Sequence, residues 1–514
     1  MARFEKYFMR LQNGNDVRGA AIATESEERT LTEGLVAFIA NAFAAFLADK
    51  LGKAVSDLRI GIGHDSRVTA DVLMAAAIRG LGDAEVYDCG LITTPAMFQS
   101  TILPESDFDG SVMLTASHLP FNRNGMKFFT KEGSLEKKQL TEILGRASAC
   151  AEASGREDAE QFVSAEALPA PARTAVPFDM AGVYAEAMKQ IICEAVAAED
   201  RLHPLKGLKI IVDAGNGASG FFAEQILKPL GADISGSVFL NPDGHFPNHV
   251  PNPEDGAAME AARSATVTAG ADLGVIFDCD GDRGAVVFAD GTEVNRNTLI
   301  GLLSAIVAES APGSTVVTDS VTSDELTEFL EKKLGLKHLR FKRGYKNVID
   351  KGIELNAAGE RCELAIETSG HGAFKENHFS DDGAYISVKI IIKMAQLMRE
   401  GKSIESLIAD MKSPAESREV RFRITAEDFR AVGEKVLADF RQMAESKGWH
   451  IVEPNYEGIR IAFDDSEVKG WVLLRMSLHD PVLPMNLEAG TKGGTDIILS
   501  RLEPFFAAYP ELTR

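Results

Sequence analysis

Val112-Met113-Leu114-Thr115-Ala116-Ser117-His118-Leu119-Pro120 is an apolar run that stops abruptly in small and polar residues. It reads as a buried strand delivering a loop at its C-terminal end. A serine on such a loop can act as a nucleophile where a base, a charge sink and an electrophile converge on it. His118 is adjacent. After a short polar turn, Asn124-Gly125-Met126-Lys127 brings a lysine back toward the same place. Taken alone, the stretch reads better as a helix-capping serine beside a solvated histidine. A second loop reverses that reading.

Leu273-Gly274-Val275-Ile276-Phe277 runs into Asp278-Cys279-Asp280-Gly281-Asp282-Arg283. Side chains two apart on extended backbone point the same way, so the carboxylates of Asp278, Asp280 and Asp282 can converge. Without a cation they repel, and at least one takes up a proton. A hard divalent ion with oxygen ligands resolves this, and Mg²⁺ suits it best. Gly281 allows the backbone to bend around the ion. An EF-hand calcium site fits less well, since the twelfth position is Ala289 rather than glutamate. The competing reading is a solvated acidic turn, with Cys279, a soft ligand, as a bystander.

Outward from these loops, a repeat emerges. Three units open with an apolar strand ending in aspartate: Arg59 to Asp65, Lys209 to Asp213 and Thr315 to Asp319. Each continues through a helix to a second strand, at Glu85-Val86-Tyr87-Asp88, Ser237-Val238-Phe239-Leu240 and Leu339-Arg340-Phe341. Each then reaches a third strand, ending in the Ser117 loop, the Asp278 loop and a loop at Glu367. Ligands of α/β sheets bind outside such strand ends. The expected fold class is therefore α/β: three similar mixed α/β domains plus a smaller C-terminal α+β domain around a central cleft. Expected boundaries are 1–165, 173–294, 295–413 and 414–514, with an Ala/Glu/Ser-rich linker within 146–172. Strands are predicted around Gly458-Ile459-Arg460-Ile461 and Trp471 to Arg475. An amphipathic helix is predicted over roughly 30–50, with Leu35, Phe38, Ile39, Phe43 and Phe46 facing the core.

The totals agree with a multidomain globular chain. It has 514 residues, 45% of them hydrophobic, and a formal net charge of −22. That charge argues against a nucleic-acid or membrane-surface partner, although a local basic cluster still allows an anionic substrate. No apolar run is read as membrane-spanning, and the N-terminus shows no signal-peptide core. Five scattered cysteines without metal or disulfide spacing point to the cytoplasm.

Three motifs in collinear order resemble those of the alpha-D-phosphohexomutases, which include phosphoglucomutases, phosphomannomutases and phosphoglucosamine mutases. Thr115-Ala116-Ser117-His118-Leu119-Pro120 resembles the family's T-A-S-H-N-P serine loop. Asp278 to Arg283 resembles its D-x-D-x-D-R metal loop. Glu367-Thr368-Ser369-Gly370-His371 resembles its G-E-x-S-G-H sugar loop without the leading Gly. Asn13 to Gly19 is similar to the family's early D-I-R-G loop.

The resemblance implies a hexose phosphate substrate, a phosphorylated Ser117 and a hexose 1,6-bisphosphate intermediate or activator. It implies Mg²⁺ on Ser117 (through its phosphoryl oxygen), Asp278, Asp280 and Asp282. Arg283 and Lys127 would neutralise the phosphoryl charge. The general base is open among Lys127, His118 and His371. Glu367 and Ser369 would hold sugar hydroxyls, and Arg18, Arg343 and Lys346 would contact the substrate or its distal phosphate. The family's R-x-S-G-T-E-P phosphate loop corresponds to Arg475-Met476-Ser477-Leu478-His479-Asp480-Pro481, leaving Arg475, Ser477 and His479 as phosphate donors. Three alternatives stay open: a phosphoglucosamine mutase, a metal-dependent phosphatase, and a weakly catalytic phosphosugar-binding protein. A monomer or homodimer is expected.

Overall fold

A computed structural model describes residues 4–154, 168–171, 173–196, 198–477 and 480–514. His479 and most of the expected linker lie outside them. The chain forms two compact units. The first comprises Met1–Asn295, Ser369–Gly372 and Ser380–Ile404, and the second Arg296–Thr368, Ala373–Phe379 and Glu405–Arg514.

The first and third repeats share one sheet topology, in which the first strand lies between the second and third. In the first repeat, Arg59–His64 pairs in parallel with Glu85–Leu91 on one side and Gly110–Leu114 on the other. In the third, Thr315–Thr318 lies likewise between Lys337–Arg340 and Cys362–Ile366. In the second, Ile210–Asp213 pairs with Leu273–Phe277. The expected strand over 237–240 is reduced there to the isolated bridges Lys209↔Asp233 and Asp213↔Val238. Phe239 sits at φ +53°, a conformation that cannot continue a strand.

A fourth strand follows each third strand: Arg123–Thr130, Gly284–Phe288 and Gly372–Phe374. The first two are antiparallel to their neighbours. The loop between third and fourth strands is the one that carries Ser117, Asp278 to Arg283, and Glu367 to His371. The antiparallel return places Met113 opposite Lys127 and Leu114 opposite Met126. The sheet of the first repeat is extended by Asp16–Ala20, which puts Arg18 opposite Gly125. A Cβ on Gly125 would lie 2.1 Å from the Val17 carbonyl oxygen, so this close pairing needs glycine.

The helix expected at 30–50 is Glu33–Leu51, capped by Thr32 and ended by Gly52 at φ +65°. It is buried almost all round rather than amphipathic. It packs against Ala70–Leu81 and Lys137–Ala153, and a helix covered on every side has no polar face to show. Its length and a mean hydropathy of 1.6 also meet the criteria for a membrane span, correcting the reading that no such run exists; 72% of that window is buried inside the protein.

The C-terminal region forms a six-stranded sheet in the order His450–Ile451, Ile459–Asp464, Lys469–Leu474, Val482–Ala489, Glu416–Ile424, Leu512–Thr513. Helices Phe429–Ser446 and Gly494–Phe506 cover it through a core including Val436, Phe440, Leu474, Met485, Ile498 and Leu502. It has no copy of the repeat. The fold class is thus three α/β repeats followed by a smaller α+β domain.

Candidate active site

In the first unit, the strand ends gather most of the sequence candidates. Ser117 is 1% exposed and sits at φ +52°, an unusual conformation for a non-glycine residue. Its Oγ donates to Asp278 Oδ2 at 3.0 Å and lies 3.3 Å from His118 Nδ1. Lys127 Nζ bonds Asp280 Oδ2 at 2.8 Å and Asp282 Oδ2 at 2.5 Å. Thr94 Oγ1 also donates to Asp280 Oδ2. Arg18 donates to the Ala116 carbonyl at 2.6 Å while paired with Asp16 at 2.9 Å.

The three carboxylates come together as the alternation in the sequence requires. One oxygen from each of Asp278, Asp280 and Asp282 lies within 4.8 Å of the others, and all three residues are buried. Among the described residues, Asp280 Oδ1 and Asp282 Oδ1 are buried without a hydrogen-bond partner. Orphaned carboxylate oxygens beside a serine hydroxyl form an all-oxygen donor set, which fits a hard divalent cation. Gly281 makes the turn at φ +73°, and a Cβ there would meet Ser219 Oγ and Thr93 Cγ2 at 2.7 Å.

Charge in this cluster is finely opposed. Burial and then the repulsion of Asp280 and Asp282 push the Asp278 pKa far up. Burial would also raise Asp280, but Lys127 more than reverses this and holds it below the usual range. Burial depresses Lys127, and the two aspartates outweigh that, keeping it an ammonium. Burial, Arg283 and Arg18 drive His118 down to about 2, so its imidazole is neutral.

Arg283 and His371 form a chain with a residue absent from the sequence reading. Arg283 Nε donates to His371 Nε2 at 2.9 Å, and His371 Nδ1 bonds Asp381 Oδ2 at 2.6 Å. Asp381 Oδ1 also accepts from the Gly372 amide. An Nε2 that accepts requires the proton on Nδ1, so His371 is fixed between Asp381 and Arg283. Cys279 points away from the carboxylates, its Sγ 3.3 Å from Asp65 Oδ2.

The second unit carries a separate polar group. Glu367, at the end of Cys362–Ile366, accepts from the Gly344 amide at 2.6 Å. Glu457 accepts from the Arg343 amide at 3.1 Å and from the Ser320 hydroxyl, with its other oxygen 3.8 Å from Arg475 Nη1. Arg475 is 7% exposed, and its Nε is buried without a hydrogen-bond partner among the described residues. Burial lowers its pKa, and Glu457 opposes that. Lys346 pairs with Asp350 one helical turn on, at 2.9 Å. Ser477 accepts from the Asp480 amide. Ser369 belongs to the first unit, in the short segment Ser369–Gly372.

Besides Asp381, sequence reasoning missed Asp16, Thr94, Arg67, Glu457 and the work of the strand-end aspartates. Asp65 accepts from Thr115 Oγ1 at 2.6 Å, and Asp319 accepts from Thr368 Oγ1 at 2.7 Å, the same contact in two repeats. Burial and then Glu367 push Asp319 up to about 7. Asp213 instead receives His249 Nε2 at 3.1 Å. The recurring strand-final Asp was the available signal, but the threonine that meets it is visible only in the fold.

Three α/β repeats with polar loops at matching strand ends, one presenting a buried serine to clustered carboxylates, have the plan of a phosphomutase. Family models for phosphoglucomutase/phosphomannomutase alpha/beta/alpha domains I, II and III match residues 9–153, 182–291 and 295–413. A phosphomannomutase/phosphoglucomutase of Pseudomonas putida is 29% identical over 461 residues, covering 88% of this chain and 87% of that protein. A phosphoglucomutase of Neisseria gonorrhoeae is 28% identical over 94% of this chain and 95% of its own length. A phosphoglucosamine mutase of Bifidobacterium animalis subsp. lactis is 27% identical over 97% and 98%. A crystal structure of a phosphoglucomutase/phosphomannomutase family protein from Burkholderia thailandensis superposes with a TM-score of 0.75 at 23% identity, covering 98% of this chain and 97% of that one. The chain belongs to the alpha-D-phosphohexomutase family and is an isomerase of the phosphohexomutase type.

Proposed function

We propose that this chain interconverts hexose 1-phosphate and hexose 6-phosphate, with glucose or mannose as the sugar, through a phosphorylated Ser117 and a hexose 1,6-bisphosphate. The observation that carries the reading is the Ser117 hydroxyl 3.0 Å from Asp278, inside the carboxylate cluster that Lys127 and Arg283 flank. The phosphoryl group leaves Ser117 Oγ for the free hydroxyl of the sugar monophosphate. That hydroxyl gives up its proton, and the other phosphate of the bisphosphate later returns to Ser117. Phosphoryl transfer needs positioning and charge neutralisation more than covalent assistance.

Asp278, Asp280, Asp282 and the Ser117 phosphoryl oxygen would hold one Mg²⁺, which when bound withdraws charge from the phosphoryl oxygens. Lys127 and Arg283 would place positive charge beside the same group, and Arg18 would brace the loop through the Ala116 carbonyl. His118, neutral and 3.3 Å from Ser117 Oγ, is suited to orienting the serine oxygen as a hydrogen-bond partner, while burial and the neighbouring Arg283 and Arg18 make it a poor proton acceptor. His371, fixed between Asp381 and Arg283, is suited to orienting Arg283. Glu367 and Ser369 would hold sugar hydroxyls. Arg343, Lys346, Arg475, Ser477 and His479 would receive the distal phosphate.

The four-domain division 1–165, 173–294, 295–413 and 414–514 belongs to the same reading, as does action in the cytoplasm as a monomer or homodimer. All five cysteines are free, which suits a reducing compartment. Coupled assays with glucose 1-phosphate, mannose 1-phosphate and glucosamine 1-phosphate test the proposal. A phosphoglucosamine mutase matches over 97% of this chain at 27% identity, so the amino sugar is the second reading. Turnover of none of the three, or steady release of inorganic phosphate instead of isomer, would overturn the mutase assignment.

A further inference from the structure

We propose that Arg67 is a positioning residue that sets the backbone of the Ser117 loop for phosphoryl transfer; the proposal rests on Ser117 being the phosphoryl carrier. Arg67 is wholly buried, its side chain 0% exposed. A guanidinium has five N–H donors in a fixed planar fork, and here every one has an acceptor. Nε donates to Asp65 Oδ2 at 3.2 Å. Nη1 donates to the carbonyls of Pro120 at 2.7 Å and Arg123 at 2.8 Å. Nη2 donates to the carbonyls of Leu119 at 2.6 Å and of Ser117 itself. One face of the fork lies over the Phe246 ring, 5.4 Å from its centre.

Four carbonyls, three from the Ser117 loop and one from the first residue of the strand that follows it, thus converge on one side chain. Asp65 completes the clamp by accepting from the Arg67 amide and from Thr115 Oγ1, while the Ser117 amide donates to that same threonine oxygen. The loop needs such a clamp because Ser117 is held at φ +52°, where an L residue does not rest unless its surroundings impose it. Arg67 reaches the serine only through main-chain carbonyls and leaves Oγ free for chemistry. Lysine cannot replace it, since an ammonium has three donors and no plane.

Displacing a reacting atom by about an ångström can slow a reaction about 100-fold. Wild type, Arg67→Lys, Arg67→Ala and Ser117→Ala are compared for the rate at which glucose 1,6-bisphosphate phosphorylates the chain, followed by intact mass, with thermal melts alongside. Arg67→Ala and Arg67→Lys are expected to melt cooperatively and to load about 100-fold more slowly. Millimolar methylguanidinium should restore Arg67→Ala at least tenfold, with no effect on Ser117→Ala. A folded Arg67→Ala that loads at the wild-type rate overturns the proposal, as does slow loading without rescue. If only Arg67→Lys folds, slow loading supports the proposal and wild-type loading overturns it. Failure of both to fold assigns Arg67 to the fold itself and likewise overturns it. Absence of loading in the wild type would instead sink the role given to Ser117.

Discussion

Replacing Lys127 with methionine separates the two ways this site can balance its charge. Lys127 is 3% exposed and is within hydrogen-bond distance of Asp280 and Asp282. Removing one partner of a buried ion pair typically costs about 3–5 kcal/mol, because the other charge stays behind uncompensated. At about 2–4 °C per kcal/mol for a domain of 150–250 residues, the affected transition should fall by roughly 6–20 °C in chelator.

The carboxylates have one escape, which is to take up protons. In the wild type the depressed Asp280 contributes stability that is fully present above the unfolded carboxyl value and lost only as pH falls through its lower folded value. Without Lys127 burial instead raises Asp280 above its unfolded value, and a carboxyl so raised costs stability that returns as pH falls, so the gap between variant and wild type should narrow on acidification from pH 7 to 5. Mg²⁺ at one hundred times its Kd adds about 2.7 kcal/mol to a protein that binds it only when folded. The variant should gain more from the metal than the wild type does, since the ion then supplies the missing charge. Differential scanning calorimetry in chelator and in millimolar Mg²⁺ measures all of this. An equal deficit in both solutions, or none in either, would refute the balance described.

Two further outcomes follow from the second unit. If Arg475 receives the distal phosphate as proposed, Arg475→Ala should raise KM for a hexose phosphate strongly, about tenfold or more, because a planar fork suited to phosphate oxygens is lost; steady-state kinetics at fixed pH reads it directly. Burial and then Glu325 push Glu488 up to about 7, where it accepts from Trp471 Nε1 at 3.0 Å. A carboxyl raised in the folded state loses stability as pH climbs from the unfolded value near 4.5 to about 7, so Glu488→Gln should flatten that slope and stabilise at pH 7 by on the order of 2 kcal/mol. Trp471 fluorescence should titrate near pH 7 in the wild type and stay level in the variant.

The fold was largely legible because its unit recurs. Each repeat carries a parallel strand ending in a polar loop, and alternating aspartates at 278, 280 and 282 encode their own convergence through backbone geometry. Ser117, His118 and Lys127 were readable for a similar reason: the next strand runs back antiparallel and returns Lys127 beside its partner strand. What escaped depends on tertiary distance. Arg67 lies 50 residues before the serine it clamps, and Asp381 and Glu457 are lone carboxylates in unremarkable sequence. The second strand of the middle repeat failed because Phe239 adopts positive φ, which no local preference announces. Leu35, Phe38, Ile39, Phe43 and Phe46 marked a core face correctly, yet the small residues between them, such as Ala37, Ala40 and Ala44, are buried as well. Alanine carries too weak a signal to distinguish a one-sided helix from an enclosed one.

The most direct test of the account follows the phosphoryl group itself. Wild type and Ser117→Ala are incubated with glucose 1,6-bisphosphate, and intact mass with peptide mapping locates any phosphate. Phosphorylated wild type is then chased with glucose 6-phosphate. The account predicts a single phosphate on Ser117, its discharge to the sugar with formation of the bisphosphate, and neither event in Ser117→Ala. Near wild-type isomerisation by Ser117→Ala, or stable phosphate on a different residue, would contradict it.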